Sequence, residues 1–142
     1  MEAPDRVRRP VAALHGAADV VRFVRTTLSN AAYASRAAIV VIGVDRAHRP
    51  VGLAENRRRW SLRSFTSQEL AALAAQLDAH ALVLVQFVPN KRRSPSVADA
   101  YAFRGLARRC AAERTPVLDC IVVSADRWWS LAHIAAYTAE SN

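Results

Sequence analysis

The sequence predicts a single α/β domain with a mixed sheet flanked by helices. Three observations carry that expectation. The runs "AAIVVIGVD" (37–45), "ALVLVQFV" (81–88) and "PVLDCIVVS" (116–124) are apolar at successive positions, as strands buried on both faces are. The stretches between and around them carry helical periodicity or helix-start signals. A length of 142 residues, 52% of them hydrophobic, gives one domain a real core and is too short for two ordinary domains.

Each element follows in order. In "AADVVRFVRTTLS" (17–29), Val20, Val24 and Leu28 recur at i, i+4, i+8 while Arg22 and Arg25 face away, which is an amphipathic helix. The 37–45 run is the first central strand, and "RAHRP" is a polar turn. "VGLAENRRRWSLRS" (51–64) is expected to return as one or two strands. Thr66-Ser67-Gln68-Glu69 reads as a capping box ahead of "LAALAAQLDA", a run of strong helix formers. After the 81–88 strand, Ser96 to Asp99 can cap a helix that reaches about Ala112. The 116–124 run is a third buried strand, "RWWSL" a short edge strand, and a last helix covers about Leu131 to Glu140. The order α-β-β-(β)-α-β-α-β-β-α fits two or three layers around a mixed sheet.

Composition narrows the function classes. No apolar run reaches the length of a transmembrane helix, so no membrane association is expected. Residues 1–14 are basic but lack an apolar core segment, and are expected to be a poorly ordered arm and not a signal peptide; 15–142 would form the domain. Cys110 and Cys120 have no metal-type spacing and read as core thiols of a cytoplasmic protein. The net charge is +8, with a pI of about 10.9. Such a field draws in polyanions, which points to nucleic acid or an acidic protein partner. All the basic residues but Lys91 are Arg, beside many Ala. That pattern fits a coding bias, so the excess of positive charge is the signal and the choice of Arg is not.

Several phrases, with the spacing between them, resemble the RadC-like branch of the JAB/MPN (JAMM) metalloprotease fold, which is cytidine-deaminase-like in architecture. They are "IVVIGVD", "RSFTSQEL", "ALVLVQFVPN…SPSVADAYAFRGLARRC" and "TPVLDCIVVSADRWWSL". The resemblance covers residues 17–132. It implies a signature H-x-H-P followed by S-x-x-D, in which both His and the Asp hold zinc. The Ser would support an oxyanion, and an upstream Glu would act as general base on zinc-bound water. Pro89, Ser96 and Asp99 stand at the matching positions, Ser96 being the seventh residue after Pro89. The two His positions fall on Gln86 and Val88. Valine has no donor atom and an amide oxygen is a weak zinc ligand. Glu55 reaches the place of the upstream Glu only with a one-residue slip. The expected consequence is a catalytically inactive domain with neither metal nor cofactor, in which Glu55, Gln86, Val88, Ser96 and Asp99 mark a vestigial site.

What remains is a binding surface. Arg57, Arg58, Arg59, Trp60 and Arg63 form one basic cluster with an aromatic face, and Lys91, Arg92 and Arg93 form another. Arg104 and Arg108 share a helix face at i, i+4. These residues are the candidates for contact with nucleic acid or an acidic protein. Metal-free members of the resembled family serve as dimerisation and scaffold modules, which implies a homodimer or a subunit of a larger assembly. Ser96 and Asp99 can also be explained as a helix cap, Glu55 as an ion-pair partner, and Asp119 as a structural hydrogen-bond acceptor. His15, His48, His80 and His133 are expected to be structural or at the surface. The alternative is a divergent isopeptidase or nuclease, with Glu55, Asp99 and Asp119 or a histidine holding Mg²⁺ or Mn²⁺.

Overall fold

A computed structural model describes residues 5–6, 12–28, 38–56, 61–91 and 93–141. Its elements are β1 (Asp5–Arg6), α1 (Ala17–Thr27), β2 (Ala38–Val44) and β3 (Pro50–Asn56), then a 3-10 turn (Leu62–Ser64) and α2 (Ser67–Leu77). They continue with β4 (Ala81–Phe87), α3 (Val97–Ala112), β5 (Val117–Val123), β6 (Trp128–Ser130) and α4 (Leu131–Ser141). The strands form one sheet in the order β1-β3-β2-β4-β5-β6. Only β4 and β5 pair in parallel; every other pairing is antiparallel, so the sheet is mixed.

Two apolar clusters, one on each face, make this a three-layer molecule. On one face Val20, Val21, Phe23 and Val24 of α1 cover Val40, Ile42, Val83, Val85 and Ile121. On the other, Leu70, Leu73 and Leu77 of α2, Phe103 and Leu106 of α3, and Leu131 of α4 cover Ile39, Val41, Leu82, Leu84, Cys120 and Val122. Every residue of β2 is buried, because helices lie over both sides of it. That explains its unbroken apolar run. α1 is amphipathic as the sequence predicts: Val20 and Val24 are buried while Arg22 and Arg25 are exposed.

The stretch from 51 to 64 is one strand and a 3-10 turn. β3 ends at Asn56, and Ser61 caps the turn at Leu62–Ser64 by accepting from the Arg63 N–H. Residues 57–60 between them lie outside the described residues. In the N-terminal arm, Asp5 and Arg6 pair with Leu53 and Gly52 on the edge of β3. Leu14 is buried and its N–H donates to the His48 carbonyl at 2.8 Å.

Gly43 is required by a close approach. A Cβ there would lie 2.8 Å from the Cβ of Ala79 and 3.1 Å from Leu77 Cδ1, where α2 turns into β4. The same corner places Asp78 in the left-handed region as the C-cap of α2.

Candidate functional site

The loop between β4 and α3 is built from both ends. Along β4, Leu82 and Leu84 point to the α2/α3 face and Val83, Val85 and Phe87 to the α1 face. The pleat therefore puts Gln86 on the α2/α3 face, in register with Ile39 on β2 and Val122 on β5. Val88 is half-buried against the same cluster, and its N–H donates to the Val123 carbonyl at 2.8 Å. The Val88 side chain is thus taken up in packing against the α2/α3 cluster.

At the other end of the loop, Ser96 and Asp99 form a reciprocal capping box. The Asp99 N–H donates to Ser96 Oγ at 3.1 Å, and the Ser96 N–H donates to Asp99 Oδ2 at 3.0 Å. Each side chain satisfies a main-chain donor that the helix start would otherwise leave open. Both residues are exposed.

Glu55 lies on the opposite face of the sheet. It is paired with Val40, whose side chain belongs to the α1 cluster, whereas its neighbour Ala54 belongs to the α2/α3 cluster. A strand shifted by one residue exchanges its faces, so the one-residue slip in the sequence match becomes a separation by the thickness of the sheet. Asp119 is separate again, at the corner of β5, β6 and α4. Its Oδ1 accepts from the N–H groups of Cys120 (2.7 Å) and Ala132 (3.0 Å), and its Oδ2 accepts from the Ser130 hydroxyl (2.6 Å). Burial nevertheless pushes its carboxyl above the ordinary range, outweighing those hydrogen bonds and the nearby His133. It lines a cavity of about 490 Å³ together with Trp128, Trp129, Ser130 and His133. Asp119 is thus a structural acceptor, holding the start of α4 to β5.

Glu55, Asp99 and Asp119 do not meet. Among the described residues, no group of three or more His, Cys, Asp or Glu is placed to share an ion. The four histidines are all exposed. Cys110 and Cys120 are free and buried, and burial raises both thiols, that of Cys120 well above the ordinary range with the Asp119 carboxylate adding to the effect. A thiol held protonated in this way is neither a nucleophile nor a thiolate ligand.

Of the basic candidates, Arg57, Arg58, Arg59, Trp60 and Arg92 lie outside the described residues. The others lie on α3, in the loop before it, or on the 3-10 turn packed with it. Arg63 is exposed on the 3-10 turn, whose Leu62 packs in the same cluster as Phe103 and Leu106 of α3. Lys91 and Arg93 precede α3, and Arg104 and Arg108 project from it. Arg104 and Arg108 border a groove of about 460 Å³ floored by alanines of α3 and α4, among them Ala107 and Ala135. Two further residues on α3 were not singled out from the sequence: Val97 and Tyr101, each 46% exposed. The signal was available. The buried positions of α3 are Ala100, Phe103, Leu106 and Cys110, and Val97 and Tyr101 fall out of phase with them.

An α/β domain with a β-hairpin, a parallel β4–α3–β5 unit and a strand-to-helix loop ending in S-x-x-D is the architecture of a JAB-type domain. The family model described as the RadC-like JAB domain matches residues 14–136, and the chain belongs to that family. No curated protein matches the chain. None of the described helices is long and apolar enough to cross a membrane.

Proposed function

We propose that this chain is a catalytically inactive RadC-like JAB domain that works by binding nucleic acid through the basic side of α3 and the loop before it. One observation carries the inactive half: Gln86 and Val88 occupy the positions where the family has its two zinc-binding histidines. The residues present do not fit zinc. A catalytic zinc takes three protein ligands and an open position, whereas here Asp99 is the sole ligand left and it already caps α3. Val88 packs on the core, and Glu55, the candidate base, belongs to the α1 face. Cations at Lys91 and Arg93 add repulsion where a dication would sit.

The binding half rests on charge and its placement. Arg63 sits on a turn that packs with α3, Arg104 and Arg108 are on α3, Lys91 and Arg93 are in the loop before it, and the chain as a whole carries +8. Cations that contact phosphates release counterions, so affinity depends steeply on salt. Titration of a fluorescein-labelled oligonucleotide by anisotropy tests this. Binding at about 50 mM salt that weakens by an order of magnitude or more at about 200 mM supports the reading. Failure to bind at low salt, alongside retention of an acidic protein or polyglutamate, would replace nucleic acid with a protein partner. Self-association, or membership of a larger assembly, is compatible with either partner and is read by size-exclusion chromatography.

A further inference from the structure

We infer that α3 holds a single, unpaired nucleic-acid strand, with Tyr101 as the platform on which a base stacks and Arg104 and Arg108 as its phosphate contacts. This deepens the nucleic-acid reading above and rests on it. Val97, Tyr101, Arg104 and Arg108 follow each other at i, i+4, i+7 and i+11, so they form one stripe along α3. The stripe faces away from the core side of the helix: Val97 and Tyr101 are each 46% exposed, whereas Ala100, Phe103, Leu106 and Cys110 are buried. Tyr101 is outside the buried core clusters and stands about one helical turn from Arg104, so an exposed aromatic side chain and a cation are neighbours on the same stripe.

Among the described residues, no acidic side chain is paired with the charge on the stripe: Arg22 is paired with Asp19 and Arg49 with Asp45, but Arg104 and Arg108 have no acidic partner. Asp99, the acidic residue nearest Arg104 in sequence, is committed to the Ser96 N–H, and Glu113, the one nearest Arg108, accepts from Gln68 Nε2 at 3.5 Å. The Cα atoms of Arg104 and Arg108 are about one helical turn apart, about 6 Å along the axis. Both residues stand over an apolar floor, so their field is less screened than that of scattered surface charges.

A duplex offers such a surface phosphates and base edges but no base faces, because its bases are stacked on one another. An unpaired strand offers phosphates and base faces together, and the stripe provides a complement for both. Val97 extends the apolar end of the platform next to Tyr101. Lys91 and Arg93, in the loop leading into α3, carry the positive charge past that end.

The test is anisotropy with three labelled probes of equal length: oligothymidylate, a duplex, and an abasic strand. The wild-type protein should bind oligothymidylate more tightly than the duplex. Tyr101→Ala should weaken oligothymidylate binding by about tenfold or more and leave abasic binding unchanged, while Tyr101→Phe keeps both. Arg104→Ala with Arg108→Ala should weaken every probe and reduce the log–log salt slope by about 1.4 for the single strands and about 1.8 for the duplex. Thermal unfolding of each variant checks that the fold is intact; Tyr101→Phe gives a readout even if the alanine variant unfolds. If Tyr101→Ala leaves oligothymidylate binding unchanged, or the duplex binds as tightly, the stacking assignment is wrong while nucleic-acid binding stands. If no probe binds at low salt, both readings fall together.

Discussion

Asp119 shows how much a single polar side chain contributes to this fold. It stands in a strand whose next four residues, Cys120 to Val123, are buried, and it ties β5 to β6 through Ser130 and to α4 through the Ala132 N–H. Asp119→Ala removes the acceptor for three donors, and a cost of about 1–3 kcal/mol in unfolding free energy is expected. Asp119→Asn is milder, since its amide oxygen can still accept from both main-chain N–H groups and its amide nitrogen can donate to Ser130 Oγ. The carboxyl titrates above its ordinary value because burial disfavours the charged form. Folding therefore favours the protonated acid. That contribution is complete below the unfolded pKa and is lost as pH rises through the folded one. Urea denaturation across this window should show the wild type losing stability relative to Asp119→Asn; parallel profiles for the two proteins would refute the assignment. The role of Asp119 was legible in the sequence, because a lone carboxylate among apolar strand residues has few other uses. The side occupied by Glu55 was not, because it depends on strand register, and a shift of one residue moves a side chain to the other face.

At the scale of elements, β2 and the loop into α3 set the geometry. β2 packs so closely against the corner after α2 that Gly43→Ala brings its new methyl within 2.8 Å of the Ala79 Cβ. Backbone has to move to admit it, and a loss of about 1–3 kcal/mol is expected in chemical denaturation, with the midpoint shifting and the slope unchanged. A variant as stable as wild type would mean that the corner gives way freely. The Ser96–Asp99 box explains why an S-x-x-D survives in a loop without histidines: such a cap contributes about 1 kcal/mol to its helix, independent of any metal. Strands β2, β4 and β5 were legible as apolar runs, because burial from both sides leaves no alternation to misread. β1 was not, because two residues carry no periodicity and their pairing with Leu53 and Gly52 is a tertiary fact. The stretch 51–64, read as one or two strands, holds β3 up to Asn56; residues 57–60 lie outside the described residues.

At the scale of the molecule, fold and function draw on different residues. The two apolar layers need the β-branched and leucine positions; they place no demand on Arg63, Lys91, Arg93, Arg104 or Arg108, all outside the buried clusters. The packing of the domain therefore does not depend on those basic side chains, and the fold by itself does not fix what they do. The sequence separated these layers well, because core and charge obey different patterns. It could not say that the 3-10 turn carrying Arg63 packs with α3, because that is a tertiary contact. The most direct test of the central claim is the zinc content of protein expressed with added zinc and purified without chelator. Far less than stoichiometric metal is expected, with a melting temperature unchanged by EDTA. Stoichiometric zinc that disappears in the Asp99→Ala variant would contradict the claim.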